Sequence, residues 1–371
     1  MVGFARARPK LGDAPDEPIR EASSMKRSGE RSADMKILRG GRESGRSRGR
    51  SVGMPLPQPR QAGAATILAC LLALLAACAG PGPGPGPEEA GDDWRAGLVD
   101  WRTEREQGLR NPEGYLGLAG LFWLAEGGNP VGSDADATVV LPSGDVPARA
   151  GRLTLTDGVV QLAMAPGVAY TVDGEPRSGA ADAAPLTLTK DTDGQATRIG
   201  VDRFTFWVIE RTGALGVRMR DPQSYVLADF TGIDCYESDP AWRVTARYEP
   251  FDAPQDVAVP NILGTEFEDS APGRLLFEVD GVPYVLTPTG ADASSLFLVF
   301  GDETNGDGSY GGGRFLRVSE PDAEGGVVLD FNRAYNPPCA FSPYTTCPLP
   351  TPDNRLPLRV EAGEQAPREH P

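Results

Sequence analysis

The sequence predicts an all-β protein, a single sandwich or barrel-like domain of many short antiparallel strands behind one N-terminal amphipathic helix. Three observations predict it. Short runs rich in Val, Leu, Thr and Phe recur beyond residue 135, separated by Gly, Pro and Asp. Within them apolar and polar residues mostly alternate, as in Trp242-Arg243-Val244-Thr245-Ala246-Arg247-Tyr248, which is the period of a half-buried strand. No amphipathic helices alternate with the runs, which argues against a doubly wound fold.

The helix is read from Trp94, Leu98 and Trp101, which fall at i, i+4 and i+7 on one face. Asp92 and Asp93 stand where carboxylates can cap its start, Arg102, Glu104 and Arg105 are expected to point elsewhere, and the end is expected near Gly108. Tyr115 to Leu124 is apolar and broken by Gly, and reads as a buried connection into the first sheet. Strands are expected at Thr138 to Leu141, Leu153 to Thr156, Phe204 to Arg211, Leu215 to Arg220 and Trp242 to Tyr248. Leu275 to Val279 and Val282 to Leu286 flank Asp280-Gly281, the signature of a hairpin with a tight turn. Leu296 to Phe300, Phe315 to Val318 and Val327 to Phe331 complete the set.

Upstream, the composition changes three times. Residues 1–53 hold 13 Lys+Arg and 7 Asp+Glu without a sustained apolar pattern, and read as a disordered leader or as sequence ahead of a natural start at Met54. Residues 54–77 read as a signal peptide: Arg60, then an uncharged apolar core from Ala64 to Leu75, shorter than the roughly 20 residues a spanning helix needs. Leu75-Ala76-Ala77-Cys78 resembles the lipobox of bacterial lipoproteins, which implies acylation of Cys78. Residues 78–91 form a Pro/Gly tether, 92–366 the β domain and 367–371 a tail. The expected placement is the cell envelope, lipid-anchored through Cys78 and facing the periplasm. Ala79 after the cysteine points to the outer membrane.

From Cys78 onward the chain carries 22 Lys+Arg against 45 Asp+Glu, a formal charge of -23 hidden by the whole-chain value of -16. Such a surface repels phosphate backbones, so no nucleic-acid partner is expected. The expected partners are the membrane, through lipid on Cys78, and an unknown small ligand or envelope component. The sole histidine is His370, beside the C-terminus. That excludes Ser-His-Asp and Cys-His catalysis and histidine metal centres. There is no P-loop and no GxGxxG fingerprint, and no cofactor is expected.

Ten residues in three polar segments are the candidate pocket: Arg218, Asp221, Asp302, Asn305, Tyr310, Arg314, Asp330, Asn332, Tyr335 and Asn336. Asp302, Asn305 and Asp307 offer oxygens that suit Ca²⁺ or an ordinary turn. Gly311 to Gly313 suit an anion cradle or a tight corner. Pro337-Pro338 forces an extended path, braced by Asn332, Tyr335 and Asn336. On the functional reading, Arg218, Tyr310, Arg314, Asp330 and Asn336 surround one pocket, with Arg gripping a carboxylate or phosphate. Arg218 and Asp221 equally suit a strand-end salt bridge. In an oxidising compartment Cys339 and Cys347 can pair, leaving Cys235 free or buried.

Four segments occur in order: Gly312-Gly313-Arg314-Phe315-Leu316, Asp330 to Cys339, Cys347-Pro348-Leu349-Pro350, and Ala362-Gly363-Glu364. With them the chain from Trp94 to Glu364 resembles domain-of-unknown-function family sixteen-eighty-four. The resemblance implies no known activity. The function expected is ligand binding or envelope assembly. The alternative is a histidine-independent hydrolase, possibly Ca²⁺-assisted, with Asp302, Asp330 or Asp221 as general base.

Overall fold

The computed structural model describes residues 91–292 and 295–368. The segments expected to be a leader, a signal peptide and a tether up to Ala90, with Cys78 among them, and His370 lie outside the described residues.

The helix α1 spans Asp92–Arg110, two residues past the expected end. Leu98 and Leu109 are its buried residues. Its N-cap is Gly91 and no side chain caps it. Asp92 and Asp93 instead lie in the first turn, where negative charge is favoured by the unpaired N–H groups and the helix dipole. Arg105 departs from the sequence reading: it lies four residues after Trp101, so it continues the inward stripe and docks by its guanidinium.

Eleven strands follow: β1 (Leu118–Trp123), β2 (Gly127–Gly132), β3 (Val139–Val140), β4 (Gly151–Thr156), β5 (Val159–Met164), β6 (Ala169–Val172), β7 (Glu175–Ser178), β8 (Leu186–Leu188), β9 (Ile199–Val201), β10 (Phe204–Arg211) and β11 (Ala214–Arg220). They make a six-stranded sheet in the order β1-β11-β10-β9-β6-β7 and a five-stranded sheet in the order β3-β2-β4-β5-β8. Pairing is antiparallel except between β2 and β3. Strand β5 shows why a sandwich forms: Val160, Leu162 and Met164 are buried while the residues between them face water. Those side chains pack with Leu153, Phe204, Phe206, Val217 and Met219 in one core.

Seven more strands build the second half: β12 (Arg243–Pro260), β13 (Glu266–Val279), β14 (Val282–Leu286), β15 (Gly290–Asp292), β16 (Ser295–Phe300), β17 (Arg314–Ser319) and β18 (Gly326–Asp330). Their sheets run β14-β13-β12-β18 and β15-β16-β17, around a core of Leu275, Phe277, Leu298, Phe300, Leu329 and Phe331. The β13–β14 turn is as the sequence predicts, with Asp280 at φ 53° and Gly281 at φ 75°. Strand β12 is longer than expected, because the pairing with β13 slips between Pro250 and Gln255 and then resumes. No helix among the described residues is long and apolar enough to cross a membrane.

The C-terminal segment closes the second half. Gly363 has φ 79°, and a Cβ there would stand 2.4 Å from the Ala334 carbonyl oxygen and 2.8 Å from that of Phe331. Only glycine fits this crossing, which lets Glu364 turn inward beneath α1.

Candidate functional site

Strand β17 sends successive side chains to opposite faces. Arg314, Leu316 and Val318 are buried; Arg317 and Ser319 are exposed on the other face. Arg314 is completely buried, and such a charge needs partners on every side. Its Nη2 donates to Asp302 Oδ2 at 2.7 Å and to the Val360 carbonyl at 2.8 Å. Its Nη1 donates to the Ala362 carbonyl. The other Asp302 oxygen, Oδ1, accepts from Thr304 N at 2.8 Å, Thr304 Oγ1 at 2.5 Å and Val360 N at 3.3 Å.

This bonding corrects the calcium reading. Both oxygens of Asp302 are engaged within the protein, Asn305 Oδ1 accepts from Asp302 N, and Asp307 pairs with Arg359. The loop is a braced turn. Gly311 to Gly313 is likewise a tight corner: Gly313 N donates to the Tyr310 carbonyl at 3.1 Å, and the bend continues at φ 85°.

The other candidates do not converge as expected. Asp221 pairs with Arg203 (Nε to Oδ1 3.0 Å), so the predicted Arg218–Asp221 bridge is replaced; the Arg218 guanidinium reaches Thr346 Oγ1 at 3.4 Å on another face. Asp330 accepts from Trp94 Nε1 at 2.8 Å and from Asn332. Asn332, fully buried, exchanges hydrogen bonds with the Asp239 backbone, and Asn336 donates to the Gln365 carbonyl at 2.7 Å. The Tyr310 hydroxyl donates to the Cys339 carbonyl at 3.3 Å. Of the ten, Tyr335 lines a recess that it shares with Arg105, Arg317 and Arg333.

That recess has a volume of about 480 Å³. One wall is α1, through Trp101 and Arg105. Another is Tyr335, tied to β17 by paired backbone bonds with Phe315 at 2.8 and 2.9 Å. The floor is the outer face of β16 and β17, where Ser295 stands opposite Ser319 and Phe297 opposite Arg317. Arg333, from the turn after β18, completes the rim. Thus three guanidinium groups, two hydroxyls and two aromatic rings face one space. The Trp101 and Tyr335 rings meet edge to face with centroids 6.4 Å apart.

The three arginines are held differently. Arg105 donates from Nε to Glu364 Oε1 at 3.0 Å and from Nη2 to the Asn336 carbonyl at 2.9 Å, with its guanidinium carbon 4.9 Å from the Tyr335 ring centroid. Arg317 donates to Ser295 Oγ at 3.2 Å and lies over Phe297. Arg333 reaches Asp330 at 3.6 Å and the Gly97 carbonyl at 3.5 Å, long contacts that leave donor capacity. Burial pushes the Tyr335 phenol up against the lowering effect of Arg317 and Arg105, so it stays a neutral donor at pH 7. Glu364 is buried and also accepts from Asn336 N at 2.7 Å; burial raises its pKa despite Arg105.

Sequence reasoning missed Trp101, Arg105, Ser295, Arg317, Ser319 and Arg333 as site residues. The available signal was the register: Arg105 continues the Trp94, Leu98, Trp101 stripe, and Arg317 and Ser319 alternate with the core residues Leu316 and Val318.

Residues 228–365 match the model of a family described as protein of unknown function, DUF1684. No curated protein matches the chain. Among solved structures, the uncharacterized protein from gene locus rrnAC0354 of Haloarcula marismortui is similar at 32% identity, over 38% of this chain and 80% of that one, with a TM-score of 0.33. An FHA domain from a study of phosphothreonine-dependent interactions matches at 23% identity, over 26% of this chain and 79% of that one, TM-score 0.18. The FhaA FHA domain, solved with the intracellular domain of Rv3910, matches at 22% identity over 27% and 97%, TM-score 0.17. At these values neither FHA likeness bears on function.

Two outcomes follow from the bonding. Asp302→Leu strands the Arg314 charge in the core and lowers stability by about 3–5 kcal/mol, whereas Asp302→Leu with Arg314→Met together costs less than either single change. Urea midpoints of the four proteins check this, and additive costs would refute the coupling. Glu364 has a folded pKa above its ordinary 4.5, so its contribution is complete below that value and is lost as pH rises through the folded pKa. The stability of the unaltered protein relative to Glu364→Gln is therefore greatest in acid and shrinks above about pH 4.5. A difference that stays flat from pH 3 to 8, on the order of that whole carboxyl range, would contradict it.

Proposed function

The chain belongs, through residues 228–365, to the DUF1684 family of unknown function, and on that footing we propose that it is a lipid-anchored envelope protein that binds a small anionic ligand. The observation that carries this reading is the recess of Arg105, Arg317 and Arg333 in a chain whose charge beyond Cys78 is -23. Three arginines converging against that background select a carboxylate or phosphate. The rings of Trp101 and Tyr335 suit an apolar or aromatic body behind the anionic head, and the volume suits a small molecule.

The hydrolase alternative is weaker. Its three proposed general bases, Asp302, Asp330 and Asp221, each accept hydrogen bonds from within the protein. None of them lines the recess.

The envelope location rests on the sequence of residues 54–91. Acylated at Cys78, the chain would be held at the membrane by lipid, with the Pro/Gly segment as spacer and the recess facing the periplasm at the outer membrane.

Calorimetric titration with phenyl phosphate, benzoate and neutral benzyl alcohol tests the ligand class. The two anions bind and the alcohol does not. Arg317→Ala and Arg333→Ala each weaken anion binding by about 10- to 100-fold, the loss of one charge-assisted hydrogen bond or more, without shifting the unfolding midpoint. Binding left unchanged by both substitutions would sink the reading. Separately, Cys78→Ala in the full chain abolishes incorporation of labelled fatty acid and moves the protein from the membrane to the soluble fraction. Continued labelling would place the anchor elsewhere.

A further inference from the structure

Behind Tyr335, the chain from Cys339 to Cys347 turns back on itself and brings two thiols together. They hydrogen-bond each other, and the Cys339 N–H donates to Cys347 Sγ at 3.1 Å. Thr345 Oγ1 stands 3.7 Å from Cys347 Sγ. The Tyr310 hydroxyl reaches Cys339 from the other side, 3.7 Å from its sulfur. Both residues pack with Val299, Phe315 and Tyr335. The two differ in access: Cys347 is 4% exposed and Cys339 is partly open. The third thiol, Cys235, lies apart, in a cavity lined by Arg102, Glu106 and Glu364.

We propose that Cys339 and Cys347 form a thiol–disulfide exchange site whose substrate is a low-molecular-weight disulfide, with Cys339 as the entry thiol and Cys347 as the resolving one. In the first step the Cys339 thiol passes its proton to the neighbouring Cys347 sulfur, and the Cys339 thiolate attacks the external disulfide. One thiolate leaves and a mixed disulfide remains on Cys339. In the second step Cys347 gives that proton to a released thiolate, its sulfur attacks Cys339 Sγ, the mixed bond breaks, and the second thiolate leaves. Two protein thiols lose two hydrogens and become one disulfide; one external disulfide becomes two thiols.

The surroundings match this division of work. A resolving sulfur must react as thiolate while shielded from other reagents. Hydrogen bonding from Cys339 favours the thiolate on Cys347 against the opposing effect of burial, with further help from Thr345, the Cys339 N–H and the Arg218 guanidinium. Cys339 is held protonated by the same thiol–thiol hydrogen bond and by burial. Within the pair the negative charge is therefore favoured on the inner sulfur, next to the bond it is to break. Cys235 lies apart from the pair, so it has no resolving partner there and serves as an internal control in the same chain.

The test treats the reduced full chain with oxidised glutathione, quenches with an alkylating agent and maps peptides by mass. In the unaltered protein, Cys339 and Cys347 lose alkylation together and a peptide linked between them appears, while Cys235 stays alkylated. Cys347→Ser traps the glutathione adduct on Cys339, and Cys339→Ser leaves Cys347 unmodified. Should Cys347→Ser unfold by circular dichroism, Cys347→Ala serves for the trapping arm. If both thiols remain alkylated after treatment, or if a folded Cys347 variant carries no adduct on Cys339, the exchange site is excluded. None of these readouts involves the arginine recess, so the ligand reading and the exchange reading fail separately.

Discussion

The second half of this protein is organised by the need to satisfy one buried charge. Arg314 has no exposure, and its guanidinium is held by the Asp302 carboxylate and the carbonyls of Val360 and Ala362. Those partners come from the loop after β16 and from the closing segment near the C-terminus. Anchoring that segment brings Glu364 beneath α1, and Glu364 in turn holds Arg105. Arg105 then lies over Tyr335 and forms one wall of the recess. A single desolvated ion pair thus acts at a distance, through backbone carbonyls and a second carboxylate, on the position of the helix. Burying such a pair gains little stability by itself, but leaving either member unpaired is costly, which makes the arrangement specific.

Electrostatics divides the surface in the same economical way. Most acidic residues face water, and many arginines are committed in pairs: Arg203 with Asp221, Arg211 with Asp191, Arg274 with Glu249. Around the recess three arginines stand close together. Arg105 has a full partner in Glu364, Arg333 has a distant one in Asp330, and Arg317 engages Ser295.

The parts of the fold that were legible in the sequence are those with local causes. The Asp280-Gly281 turn needs residues that accept positive φ, and those residues were visible. Trp94, Leu98 and Trp101 carry their helical period openly. The length of β12 was hidden by the slip after Pro250, since Pro and Asp there read as a break. The candidate site was less legible. Asp302, Arg314, Asn332 and Asn336 stand out because their composition is unusual, but that composition serves buried bonding, and pocket geometry follows from segments hundreds of positions apart. Arg105 was read as outward because charged residues on helices usually are; its buried partner, Glu364, lies 259 positions away. Arg317 and Ser319 depend on which face of β17 the core takes, which pairing with β16 decides.

The span of those contacts has a consequence for biogenesis. Trp94 bonds to a residue 236 positions downstream and Arg105 to one 259 downstream, so the first described element has its polar partners far along the chain. Folding of such a topology is slow, because long loops must close before their contacts stabilise anything. A nascent polypeptide that has not yet reached Asp330 and Glu364 keeps α1 undocked.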